Sequence, residues 1–199
     1  MARQGEIPAS QQRARQTRDR LAAALGALLR RKPFAEIAIA EIAAEAGVSV
    51  GAVYRRFENK DAFIPVILEL YRESVERFAA SPEGRYSPDP QAGLRAALHG
   101  VASAAWRYVK QEGALLREAQ LYARLRPELA GEDWDALMAE AVASYEALLD
   151  LFSAEVTRAD RRAAAGMTFY LLNSLIAEYG LHGADGPGAA VCYYKHNAV

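Results

Sequence analysis

Along this chain apolar residues recur at intervals of three and four rather than two, and Ala, Leu, Glu and Arg fill most of the positions between them. That pattern predicts helices throughout and no strands. A first helix spans about Gln12 to Arg31, with Leu21, Leu25, Leu28 and Leu29 on one face, arginines on the others, and Pro33 ending it. A short helix from Ala38 to Ala46 presents Ile39, Ile42, Ala43 and Ala46. Gly47 follows where a helix end needs a left-handed residue, and Ser49 is placed to cap the next short helix, Val50 to Phe57. Asn59 can cap a fourth helix, Lys60 to about Ala80, in which Pro65 falls near the end of the second turn and is expected to bend or loosen it.

Ser81 to Pro90, with three prolines and a glycine, reads as a loop. Beyond it the same periodicity predicts helices over about Gln91 to Gln111, Ala114 to Arg126, Glu132 to Val156 and Asp160 to Leu181, with Pro127 and Gly131 breaking the chain between the second and third. Gly183 to Gly188 is a cluster of helix breakers before a short apolar tail, whose last helix would be Pro187 to Val199.

The chain has 199 residues, 52% hydrophobic and 25% charged, which suits one or two ordinary domains and excludes collagen-like, disordered and disulfide-stapled classes. Its most apolar stretch, Met167 to Leu181, is interrupted by Thr168, Asn173, Ser174 and Glu178. It falls short of the roughly 18 consecutive apolar residues of a membrane span, so no membrane association is expected. No basic-then-apolar leader is seen, and the lone Cys192 has no internal partner. A cytoplasmic protein is expected.

Charge divides the chain. The totals, 24 Lys and Arg against 25 Asp and Glu, give a formal charge of −1. Residues 1–63 hold 11 basic and 7 acidic residues, a net of +4, and residues 64–199 hold the remaining 13 and 18, a net of −5. The basic end provides a local field that attracts phosphates, although a solvated helix face accounts for the charge equally well.

What decides between these readings is Ile39 to Phe63, IAEIAAEAGVSVGAVYRRFENKDAF. Two short helices joined by a tight glycine turn bury little alone, and the leucine face of the first helix supplies a third side, making a helix-turn-helix unit. Ile42, Ala43, Ala46, Val48, Val53 and Phe57 then face inward. The other face of the Val50 helix is free to enter a major groove. There Arg55 and Arg56 can meet phosphates or guanine edges, Tyr54 can hydrogen-bond a phosphate, and Lys60 adds charge at the start of the fourth helix. Gly51 and Ala52 allow close approach of the backbone, Val50 or Ala52 can touch a thymine methyl, and Ser49 completes the candidate DNA-binding set. Singly, Tyr54 could be a core aromatic and the arginines merely solvated; it is their spacing around the turn that favours DNA.

A basic-flanked first helix, then IAEIAAEAGVS, then GAVYRRF, then NK opening a further helix, resembles the TetR family of bacterial transcriptional regulators over about Arg15 to Phe63. The resemblance implies a DNA-binding domain at residues 1–63 and an all-helical domain at 64–199 that dimerises and holds a small-molecule pocket. The fold expected is therefore all-α, a three-helix N-terminal helix-turn-helix domain plus a C-terminal antiparallel helical bundle. It further implies phosphate contacts at Tyr54 and Lys60, turn roles for Gly47 and Ser49, and repression relieved by a ligand. The chain departs from the family pattern at Ala38, where members often carry a capping Thr, and at Val50 and Ala52, which are often polar.

The helix Gly166 to Leu181 is apolar nearly all round and needs cover on both sides. A second subunit can supply one side, through Leu172, Leu175, Ile176 and Tyr179, and two-fold symmetry would match a palindromic operator. Small residues at 100–105 beside Trp106 and Tyr108, and the stripe Trp134, Leu137, Met138, Ala141 and Tyr145, suit an apolar ligand site or simply a core. Trp106, Tyr122, Trp134, Tyr145, Phe169 and Asn173 are the candidates to line it. Enzyme chemistry finds little support: His99, His182 and His196 lie in no HExxH pattern, the i,i+4 pairs Glu178–His182 and Cys192–His196 are two residues each and make no metal site, no phosphate loop or nucleophile elbow occurs, and no cofactor or metal is expected. The expected function is a ligand-released, homodimeric repressor of a double-stranded operator. The alternative is a DNA-anchored module whose C-terminal domain binds a protein partner instead of a small molecule.

Overall fold

The spacing of apolar residues gives seven α-helices in the computed structural model, which describes the backbone of residues 9–182 and the side chains of residues 11–175. No strand occurs among the described residues. The expected tail helix, Pro187 to Val199, lies outside them. Packing divides the chain into two units that meet inside one helix, the first ending at Leu70 and the second beginning at Tyr71.

The first unit holds α1 (Ala9–Leu29), α2 (Ile39–Glu45), α3 (Val50–Tyr54) and the start of α4 (Ile64–Ala80). Leu21, Leu25, Leu28 and Leu29 of α1 are buried against Ile42 and Ala43 of α2 and Val53 of α3. Phe57 stacks on Phe63 with ring centroids 3.9 Å apart. Phe34 and Ile37, in and after the 3-10 turn Phe34–Glu36, are fully buried as well. Gly47, at φ +62°, ends α2. Its N–H bonds the Ala44 carbonyl at 3.0 Å and that of Val48 bonds the Ala43 carbonyl at 2.9 Å, the paired closure that spends orphan carbonyls at a helix end.

Two expectations need correction here. The helix expected to run from Val50 to Phe57 stops at Tyr54, because Arg55 and Arg56 tighten into a turn in which the Arg56 N–H reaches the Val53 carbonyl at 2.8 Å. Pro65 does not lie at the second turn of a helix begun at Lys60. A separate 3-10 turn, Asp61–Phe63, occupies that start, with the Asn59 side chain accepting from the Ala62 N–H at 3.1 Å. Pro65 is thus the second residue of α4, where no intrahelical bond needs its N–H.

The second unit is a bundle of α5 (Gly93–Leu125), α6 (Pro127–Leu151) and α7 (Arg161–His182), packed on one another, with the later part of α4. The break expected between Gln111 and Ala114 falls at Glu112, whose φ of −125° and ψ of 18° kink α5 into two helical stretches just before Gly113. In α6 the break falls at Gly131, at φ +66° and ψ −175°. The helix ends at Leu151, five residues before the expected Val156, in a turn closed by bonds to the Phe152 carbonyl. Asp160 caps α7 by accepting from the Ala163 N–H at 2.9 Å.

Candidate nucleic-acid interface and ligand cavity

Two devices hold α3 in place. Ser49 accepts the Ala52 N–H at 3.2 Å, which caps the helix from its own first turn. Arg20 of α1 donates to the Ala46 carbonyl at 2.5 Å and the Gly47 carbonyl at 3.0 Å, tying the glycine turn to the first helix. With Val53 anchored in the core, α3 turns Ser49, Val50, Gly51, Tyr54, Arg55 and Arg56 outward; Tyr54 is 54% exposed and Val50 40%. These six belong to the set the sequence proposes for DNA; the other two members, Ala52 and Lys60, are half-buried. The outward chemistry, an arginine and a phenol beside a small-residue backbone, suits phosphates and base edges.

The cap expected of Thr at position 38 is absent, and its reciprocal half does the work. Glu41 accepts the Ala38 N–H at 2.8 Å and the Lys32 ammonium at 2.7 Å. The Ala38 N–H, and then Lys32, hold the Glu41 carboxyl below its ordinary range.

Most of the basic residues of this unit are engaged within it. Arg18 pairs with Glu69, Arg31 with Glu45 at 2.7 Å, and Arg56 donates to the Ala14 carbonyl at 3.3 Å. Lys60 donates to the Ala35 carbonyl at 2.7 Å and lies 4.9 Å from the centre of the Phe34 ring. Burial lowers its pKa. Among the described residues, the guanidinium groups of Arg13, Arg15 and Arg55 are exposed and have no such partner.

In the second unit a cavity of about 230 Å³ opens between α4, α5, α6 and α7. Tyr145, Phe169 and Asn173 line it as the sequence proposes, together with Tyr71, Val75, Phe78, Tyr108, Leu116, Leu137 and Leu172. A second, of about 190 Å³, is lined by Trp134, Phe169 and Asn173 with Gln120, Arg124, Met138, Tyr170 and Ser174. Trp106 and Tyr122, both half-buried, line neither. Sequence reasoning missed the α4 contribution, although Tyr71, Val75 and Phe78 recur at helical spacing, and it missed Gln120 and Arg124. Burial pushes the Tyr71 hydroxyl up to about 12, against the opposing pull of Gln120. Burial also raises Tyr108, whose hydroxyl shares a 2.5 Å hydrogen bond with Ser74. Both phenols therefore stay protonated at neutral pH.

Of the residues expected at a subunit interface, Leu172 faces the cavity, Leu175 is 46% exposed, and the side chains of Ile176 and Tyr179 lie outside the described residues. Met167, Tyr170 and Leu171 are also exposed on α7. Among the described residues no cluster of His, Cys, Asp and Glu could hold a metal, and no helix is long and apolar enough to cross a membrane.

The fold matches solved structures. FadR from Bacillus subtilis, crystallised with stearoyl-CoA, has a TM-score of 0.60 and 18% identity over 88% of this chain and 93% of its own. The fatty acid degradation regulator FadR from Bacillus halodurans gives 0.58 and 19% over 89% and 91%. A Pseudomonas aeruginosa PAO1 protein, assigned provisionally as a transcriptional regulator, gives 0.58 and 25% over 97% and 92%. No curated protein sequence matches the chain. Residues 21–65, the segment that builds the glycine turn and α3, match the model for bacterial regulatory proteins of the tetR family. Over that segment the chain is similar to the tetR family of bacterial regulatory proteins.

Proposed function

We propose that this protein is a homodimeric repressor that binds a palindromic double-stranded operator through α3 and leaves it when a small molecule occupies the C-terminal unit. The DNA-binding reading rests on one observation above all: Tyr54 and Arg55 stand exposed at the end of a short helix that Val53 anchors in the core, Ser49 caps, and the Arg20 clamp steadies through the preceding turn. The effector reading is supported by the aromatic-lined cavity, and a protein of this fold is known in complex with stearoyl-CoA. Coupling would run through α4, one continuous helix that starts in the first unit and carries Tyr71, Val75 and Phe78 to the cavity wall. A coupling of 1–3 kcal/mol lowers operator affinity roughly 5–150-fold.

The test uses a duplex selected by the protein from a random library. Arg55→Ala and Tyr54→Phe are expected to weaken its binding, and the wild type to lose affinity steeply with salt as counterions are released. Unaltered affinity in both variants would remove α3 from the interface.

A further inference from the structure

We propose that the effector is an apolar carboxylate whose head is recognised by Arg124; the inference rests on the small-molecule reading above. It comes from the contrast between the two cavities. In the larger one most polar groups are already engaged: Tyr108 with Ser74 at 2.5 Å, Tyr71 with Gln120, and the Asn173 amide N–H with the Phe169 carbonyl at 3.0 Å. Apart from the Tyr145 hydroxyl, what remains is hydrocarbon and ring, from Val75, Phe78, Leu116, Leu137 and Leu172, which suits a largely apolar body. The smaller cavity is the more polar of the two, with Gln120, Ser174 and Arg124 on its wall beside Trp134, Met138 and Phe169.

Arg124 is the single charged residue lining either cavity among the described residues. It is exposed and has no carboxylate partner there. Its planar fork offers two parallel N–H donors, the geometry a carboxylate accepts. Met138, Phe169 and Asn173 belong to both walls, so the two spaces lie one side chain apart. A ligand with its body in the first can place its head in the second once the flexible Met138 turns aside. A cationic head would meet Arg124 and no lining acid. The net −5 of residues 64–199 opposes an anion at long range, but exposed charges more than about 8 Å away are screened at physiological salt, whereas a direct contact is not.

Two matched series test this on the full chain: octanoate, octanol and octylammonium, and 4-phenylbutanoate with its alcohol and ammonium counterparts. Binding is followed by calorimetry and by the emission of Trp134, which lines the head cavity. In at least one series the acid is expected to bind about tenfold or more tighter than the alcohol, as for a charge-assisted hydrogen bond. Arg124→Gln should erase that preference and Arg124→Lys should keep part of it. If the alcohol or the ammonium equals the acid, or the preference survives in Arg124→Gln, the anion proposal is overturned while the effector cavity stands. If no head group in either series binds, both readings fall.

Discussion

Arg55 and Lys60 lie five positions apart, and both read from sequence as cations for phosphate, yet they have unlike surroundings. Arg55 is exposed and has no partner among the described residues, whereas Lys60 bonds the Ala35 carbonyl at 2.7 Å and lies over Phe34. Arg55→Ala should therefore leave thermal stability within about 0.5 kcal/mol of wild type and reduce both operator affinity and its salt slope. Lys60→Ala should cost about 1 kcal/mol of stability, as a lost hydrogen bond and cation–π contact imply. Equal melting curves for the two variants would show that Lys60 has no anchoring role. The exposure of Arg55 was legible because it follows from helix phase once Val53 is placed inward. The engagement of Lys60 was not, since its partners Phe34 and Ala35 sit about 25 residues upstream in the 3-10 turn Phe34–Glu36, whose folding back no periodicity encodes. Glu41 adds a dependence on pH. Its carboxyl is held below 4.5, so its contribution is present above pH 4.5 and is lost as pH falls through the lower folded value. Glu41→Gln should melt earlier than wild type at neutral pH, and the gap should close well below pH 4.5; a gap independent of pH would rule out the ionic cap.

At the scale of elements, the sequence disclosed where glycine and capping residues break the helices better than where α3 and α6 end. Gly47, Ser49 and Gly131 marked real breaks because left-handed backbone and capping are local chemistry. The kink at Glu112 came through as a gap between two helices, since a residue can leave helical φ and ψ without the chain ceasing to run on. Pro65 misled because its effect depends on where α4 begins, and the 3-10 turn that sets that start is shorter than any hydrophobic repeat. The pairing of α4 with α5 was invisible for the same reason. Its polar link is the buried contact between Ser74 and Tyr108, with Phe78 set edge-on to the Tyr108 ring at 5.2 Å. Ser74→Ala strands a buried hydroxyl and should destabilise by about 1–3 kcal/mol, while adding Tyr108→Phe should restore much of the loss, because removing both partners is nearly neutral. Purely additive losses in a denaturant-unfolding cycle would show that the hydroxyls do not act as a pair.

For the molecule as a whole, the positive end of the chain proves less available than its count suggested. Of its basic residues Arg18, Arg31 and Lys32 neutralise neighbouring acids, so under the proposed function the field offered to DNA would come from the few that stay exposed, among them Arg13, Arg15 and Arg55. A single such unit offers few phosphate contacts, and affinity in the range of specific binding then depends on two units acting together. The proposed dimer would find its surface in Met167, Tyr170, Leu171 and Leu175, which are 46–66% exposed on α7 while Phe169 and Leu172 face the cavity. Leu171→Glu discriminates cleanly. In a lone chain a charge at a site already 54% exposed costs little, but across a two-fold interface it brings two buried carboxylates toward each other. Light scattering should then shift from a dimer to the 21.7 kDa single chain. Binding to the full palindrome should fall by orders of magnitude, and binding to an isolated half-site should stay as it was. A Leu171→Glu protein that remains dimeric would move the subunit contact away from this face of α7.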